Sequence, residues 1–122
     1  MRREIKIYRD HTAAVISYNL GPQNEGLLVN GQEMTIGFNQ VHKIRAHFPL
    51  ATLQNKAESA VVISFGMETT YTSLLSWDIE PTAVEFVPSA VEAFNDYHSD
   101  AEENMAKARG RIIMDDGRQF LA

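Results

Sequence analysis

The 122-residue sequence has no cysteine, so it can form no disulfide and offers no thiolate for catalysis or metal binding. Such usage favours a cytoplasmic setting. It also has no long apolar run. The start, Met1-Arg2-Arg3-Glu4-Ile5-Lys6, is basic but continues into alternating residues, which fits neither a signal peptide nor a membrane-spanning helix, and no membrane partner is expected. No Pro/Gly/Ser-rich linker, internal repeat or low-complexity segment divides the chain, so residues 1–122 are expected to form one domain. Positive charge is scarce in the second half: residues 61–122 carry four Lys/Arg against eleven Asp/Glu, whereas residues 1–60 carry seven against five. An acidic half disfavours nucleic acid and is compatible with a cationic ligand, although solvated helix faces account for such charge equally well. Standard catalytic signatures are missing too. There is no Gly-x-Ser-x-Gly elbow and no lysine after the glycine loop to hold a phosphate. His11, His42, His47 and His98 share no metal-ligand spacing, so no metal is expected.

What is present reads as two kinds of sheet joined by a helix. Glu4–Tyr8 alternates, Ala13–Tyr18 is apolar and β-branched, and Leu27-Leu28-Val29 runs into Asn30-Gly31, the pair a type I′ hairpin turn requires. Residues 1–38 are therefore expected to form a small antiparallel β-region. Val41, Ile44, Phe48 and Ala51 are spaced as the inner face of a connecting helix over residues 39–54, with Asn39 as its cap and a kink at Pro49. Residues 60–122 read as β-α-β-α-β. Ala60–Phe65 is an apolar run suited to a strand buried on both faces, and Thr69–Trp77 a short helix. Thr82–Val87 is a second strand opened by Pro81, and Ser89 caps a helix carrying Val91, Phe94 and Tyr97. Ser99–Glu102 is a capping box for a helix that Gly110 ends, and Arg111–Met114 is a third strand. The expected class is α/β, with the antiparallel β-region followed by half of a Rossmann-like, doubly wound sheet.

In a parallel sheet ligands bind beyond the carboxyl ends of the strands. Acids stand at all three ends here: Glu68 in the loop after the first strand, Glu85 near the end of the second, and Asp115-Asp116 after the third. An acid ending the second strand suits two ribose hydroxyls, and one after the third suits an adenine amine. Glu68 stands where nucleotide loops ordinarily place glycine, and it would repel a phosphate but attract an ammonium or sulfonium group. Glu68 serves equally as a first-turn acid on a helix dipole, and Asp115-Asp116-Gly117 as a strand-ending turn. The structural alternative for Glu85 is costlier, because a buried carboxylate needs partners.

Ile63-Ser64-Phe65-Gly66-Met67-Glu68-Thr69-Thr70, Thr82–Ser89 and Gly110–Leu121 together resemble the spermidine synthases, the polyamine aminopropyltransferases, and their spermidine-synthase-like relatives. The resemblance extends more weakly back to Leu27. It implies an S-adenosylmethionine-dependent methyltransferase fold and a ligand of the S-adenosylmethionine or decarboxylated S-adenosylmethionine type, used for aminopropyl transfer to a polyamine. By the same resemblance Gly66, Met67, Glu68, Thr69, Glu85, Phe86, Asp115, Asp116 and Gly117 are the cofactor-binding positions, with Glu85 on the ribose and Asp116 on the adenine. The loop keeps one glycine, Gly66, and Lys43 stands where the family holds its amine acceptor. The family's catalytic carboxylates follow a fourth strand, and this sequence ends just after the third. A truncated domain without catalytic residues, inactive alone, is thus the leading expectation. The alternatives are an interaction module that keeps the fold without a ligand, and a small methyltransferase that completes its site across a dimer. A homodimer is expected, because the first strand would otherwise leave an open edge; the alternative is that the N-terminal β-region folds over it.

Overall fold

The computed structural model describes residues 3–22, 24–36, 40–64, 69–94 and 110–122. Its first four strands are β1 (Glu4–Arg9), β2 (Ala14–Asn19), β3 (Glu25–Val29) and β4 (Gln32–Ile36), which form an antiparallel sheet in that order. The β3–β4 turn is the one the sequence calls for. Asn30 (φ 50°) and Gly31 (φ 80°) both take positive φ, and Val29 pairs with Gln32. A bulge between Leu27 and Leu28 shifts the register.

Helix α1 (Gln40–Thr52) leads to the second sheet, in which β5 (Ser59–Ile63), β6 (Glu80–Glu85) and β7 (Arg111–Met114) run parallel, with β6 in the middle. Helices α2 (Thr69–Leu75) and α3 (Pro88–Phe94) connect the strands, and α4 (Gly117–Leu121) follows β7. The chain is thus an α/β fold with a Rossmann-like β-α-β-α-β half, as the patterning leads one to expect. No helix among the described residues is long and apolar enough to cross a membrane.

Three apolar clusters tie these parts together. Ala46 of α1 packs with Leu74 and Ile79, and around them lie Leu50, Ala60, Val62 and Trp77. Tyr71 of α2 packs on Ala83 of β6, with Val91 and Ile112 alongside. Helix α3 is shared: Val91 belongs to that cluster, while Ala90 and Ala93 meet Ala13, Val15 and Leu27 of the antiparallel sheet. Gly110 enters β7 so close to Tyr71 that a Cβ there would lie 2.1 Å from the tyrosine hydroxyl.

Several details depart from the pattern in the sequence. On α1 the spaced row Val41, Ile44 and Phe48 is exposed, and the helix buries the opposite side through Ala46. Small Ala46 lets α1 approach α2 closely, and Trp77 Nε1 donates to His47 Nδ1 at 2.8 Å, fixing that side inward. Pro49 does not end the helix, which runs on to Thr52, whose hydroxyl donates to the Phe48 and Pro49 carbonyls. Strand β5 is not buried on both faces: Ala60 and Val62 lie under α1 and α2, whereas Val61 and Ile63 are each 49% exposed, with Gly117 passing over Ile63. Pro81 lies inside β6 rather than before it. Asp115 N donates to Glu85 O, so Pro81 turns its nitrogen toward the β7 side as Glu85 does, at a level before β7 begins. The cap and helix expected at Asn39 and Ser99, and Tyr97, lie outside the described residues or partly so.

Ser89 does not cap α3. The helix starts at Pro88, suited to a first helical position, and the carboxylate that takes its orphan donor comes from far away in sequence. Asp10, in the β1–β2 turn, accepts Ser89 N at 2.8 Å and Ser89 Oγ at 2.5 Å. It also accepts Thr12 N at 2.7 Å, Ala13 N at 3.0 Å and the Thr12 hydroxyl. One carboxylate thereby forms its own turn and clamps the antiparallel sheet to the parallel half.

These bonds, that of the Ser89 hydroxyl foremost, hold the Asp10 carboxyl far below its ordinary value of 3.8. A depressed folded-state value means that the clamp's stabilisation is fully present above 3.8 and drains away as pH falls from there toward the folded value. Asp10→Asn is expected to lower the melting temperature at neutral pH and to flatten the acid limb of the stability curve. Thermal melts from pH 7 downward check this, and an unchanged acid limb would contradict it.

Candidate functional site

The carboxyl ends of β5, β6 and β7 are drawn to one edge by backbone hydrogen bonds. Ser64 N donates to Val84 O at 2.7 Å, and Asp115 N donates to Glu85 O at 3.1 Å. Glu85 is the centre of this edge and is only 5% exposed. Its Oε1 accepts Val87 N at 3.0 Å, and its Oε2 takes a long bond from Ser64 Oγ at 3.4 Å. The first bond comes from the chain's own turn into α3 and aims the carboxylate along the strand end. The second is near the limit for a hydrogen bond. Phe86, next in the chain, is 58% exposed beside it.

After β7, Asp115 Oδ1 accepts Asp116 N at 2.8 Å, and Asp116 caps α4 by accepting Arg118 N at 2.9 Å. Asp116 also accepts Arg118 Nε at 3.1 Å and Nη2 at 2.7 Å. Those bonds, the guanidinium's first, pull its carboxyl down to about 2. Gly117 then passes over β5, where a Cβ would lie 2.6 Å from Ile63 Cγ2, so any larger residue there would have to push the Ile63 side chain aside. Thr69 opens α2, and the Thr70 hydroxyl donates to His42 O of α1 at 3.0 Å. His42 is held below its usual imidazole value by burial and by nearby Arg45.

Of the positions expected to bind a cofactor, Glu85, Phe86, Asp115, Asp116 and Gly117 lie at this edge and Thr69 begins the helix after it. Gly66, Met67 and Glu68 lie outside the described residues. Among the described residues no three His, Asp or Glu side chains gather as a metal would need. A groove lined by Lys56, Glu58, Ser59, Asp78 and Glu80 lies at the opposite, amino end of the strands, away from these acids. Lys56 and Asp78 pair across it at 2.9 Å, both well exposed, and such a pair stabilises little.

Ser64 is the site residue that sequence reasoning passed over. It takes φ 77°, a backbone region that L-residues rarely occupy. The only sequence sign of the tight exit from β5 is the nearby glycine, Gly66.

Solved structures identify the architecture. Spermidine synthase from Thermotoga maritima superposes with a TM-score of 0.83 at 18% identity, over 98% of this chain and 43% of that one. The fold is that of spermidine synthase. Spermidine synthase in complex with the transition-state analogue AdoDATO gives the same values. An S-adenosylmethionine-dependent methyltransferase from Agrobacterium tumefaciens superposes with a TM-score of 0.52 at 17% identity, over 86% of this chain and 34% of that one. The chain spans less than half the length of the spermidine synthases it superposes on. No protein-family model and no curated protein sequence matches it. The antiparallel sheet is part of the match with spermidine synthase, since nearly the whole chain is covered.

The strain at Ser64 predicts an ordering of variants. Ser64→Gly should be no less stable than the parent, because relief of a left-handed residue offsets glycine's greater unfolded-state entropy. Ser64→Val should lose about 1–2 kcal/mol, since a β-branched residue tolerates positive φ poorly. Urea unfolding measures both, and a Val variant as stable as the Gly variant would contradict the strain.

Proposed function

We propose that this chain is the nucleoside-binding half of a spermidine-synthase-like transferase and binds a compound of the S-adenosylmethionine or decarboxylated S-adenosylmethionine type. The observation that carries the reading is Glu85: a nearly buried carboxylate at the end of the middle strand, aimed by Val87 N–H and reached by the Ser64 hydroxyl. Two vicinal ribose hydroxyls are neutral donors that suit two acceptor oxygens. The exposed ring of Phe86 offers a flat apolar surface for a base. Asp115 and Asp116 stand where an adenine amine would be read, with Asp116 sharing its oxygens with Arg118. By its sequence position after β5, Glu68 is the acid we assign to the ligand's cationic arm, an ammonium or sulfonium group. A cytoplasmic setting agrees with the absence of cysteine and with the ligand class.

Aminopropyl transfer to a polyamine is the activity of the full-length enzymes. It needs a base to take the proton from the attacking amine, and each of the described acids at this edge, Glu85, Asp115 and Asp116, already holds a backbone donor. The chain alone is therefore assigned binding without turnover. A ligand-free interaction module is the second reading, favoured by the engagement of Asp116 as a helix cap.

Titration calorimetry with S-adenosylmethionine, decarboxylated S-adenosylmethionine and 5′-methylthioadenosine tests the proposal. Saturable binding is expected, and Glu85→Gln should weaken it roughly ten- to hundredfold, the worth of a hydrogen bond to a charged acceptor. Absence of binding by all three compounds favours the interaction module. In the same preparations, spermidine formed from putrescine above background would overturn the assignment and favour a site completed across a dimer.

A further inference from the structure

Glu85 of the parallel sheet and Asp10 of the antiparallel sheet are joined through one short turn. Only Phe86, Val87 and Pro88 separate Glu85 from Ser89. Glu85 Oε1 accepts Val87 N at 3.0 Å, Val87 O accepts Ala90 N at 3.0 Å, and Asp10 Oδ2 accepts Ser89 N at 2.8 Å and Ser89 Oγ at 2.5 Å. Pro88 lies between the two anchors, and its ring fixes φ, which removes one rotation that could absorb a displacement. The Val87 side chain also packs against the seam of Val15, Leu27 and Ala90. The residue that aims Glu85 is therefore held from the antiparallel sheet by its backbone neighbours and by its side chain.

The two oxygens of Asp10 divide the work. Oδ1 accepts Thr12 and Ala13 donors within the β1–β2 turn, and Oδ2 accepts Ser89. Only an ionised carboxylate, an acceptor at both oxygens, serves both sides at once. An asparagine could keep the turn, where such side chains are at home, but its NH2 group would then meet the Ser89 N–H, donor against donor. Ser89 is 2% exposed, so water does not readily replace the lost acceptor. The link to Ser89 is thus separable from the hairpin that carries it.

We propose that Asp10 is a positioning residue for the nucleoside site: by holding Ser89 it fixes the turn whose Val87 N–H aims the Glu85 carboxylate. The inference rests on the reading that Glu85 receives the ligand's ribose. It gives the antiparallel sheet a part in binding, because a side chain in its first turn sets the direction of an acid in the other sheet. Releasing Ser89 lets the Val87 peptide turn away, and Glu85 then loses the donor that orients it before a ligand arrives. The cost falls on affinity, since the carboxylate has to be ordered during binding.

Amide spectra of the ligand-free chain and titration calorimetry with 5′-methylthioadenosine test this together, at a temperature where circular dichroism shows each variant folded. Glu85→Gln, which replaces the charged acceptor of Val87 N–H, calibrates the Val87 resonance. Asp10→Asn is expected to move that resonance in the same direction, and to weaken binding at least about fivefold, the lower end of coupling between separate sites. Ser89→Ala keeps Ser89 N–H on Oδ2; it should move both readouts the same way by less, and it carries them if Asp10→Asn does not fold. The two effects should not add in the double variant, because both act through one link. Ile79→Val trims the cluster under α1 and serves as the control for lost stability alone: a lower melting temperature with unchanged affinity and an unmoved Val87. A Val87 resonance that stays in place in both clamp variants overturns the proposal. So does unchanged affinity in both, or an equal loss of affinity in Ile79→Val. Where the parent itself binds no nucleoside, the ligand reading fails, and the Val87 resonance still decides whether Asp10 positions Glu85.

Discussion

A carboxylate at the end of a buried strand has to be held by donors from its neighbours, and the way Glu85 is held sets much of this structure. From Pro81 to Glu85 every residue of β6 is buried. Such a strand needs partners on both edges and cover on both faces, which fixes it between β5 and β7. Ending that strand in an acid forces the chain to turn at once, so that Val87 N–H reaches the carboxylate. Ser64 leaves β5 in a strained conformation, with its hydroxyl turned to the other oxygen. The exit geometry of the first strand, the turn into α3 and the meeting of three strand ends are thus linked through one side chain.

The same turn positions α3, and α3 carries the antiparallel sheet. Its first donors go to Asp10, and its alanines form the seam with Val15 and Leu27. Alanine is the residue for such a seam, since it lets a helix lie close on a sheet and costs no side-chain entropy. The Asp10 clamp is polar and the seam apolar, so acid is expected to loosen the first without weakening the second. The two sheets form one body in the sense that a single short helix contributes to both of their cores.

Where the sequence was legible, a local rule and the tertiary structure agreed. Asn30-Gly31 had to be a hairpin because both residues need positive φ. The strand-helix alternation after Ala60 had to be a parallel sheet, and an acid in an apolar run had to be held by donors where the strand ends. The rest depended on contacts between distant segments. Val41, Ile44 and Phe48 are correctly spaced for an inner face, but Ala46 and the His47–Trp77 bond turn α1 the other way. Ser89 has the chemistry of a cap, yet Asp10, seventy-nine positions away, supplies the cap, and nothing local signals it. The apolar run of β5 reads as doubly buried because composition does not distinguish a strand covered on both faces from one that leaves a face half exposed. At the strand ends, Glu85 stands out in the sequence by its burial cost and Ser64 does not, since serine at positive φ has no pattern in the sequence.

The central claim is that a nucleoside is received at the strand ends around Glu85 rather than in the groove at the amino ends of the strands. Backbone amide chemical shifts followed during titration with 5′-methylthioadenosine test this residue by residue. The account predicts the largest changes at Ser64, at Glu85 through Val87 and at Asp115 through Gly117, with Lys56, Glu58, Asp78 and Glu80 unmoved. Changes confined to that opposite group, or spread evenly over the exposed faces of α1 and the antiparallel sheet, would contradict it.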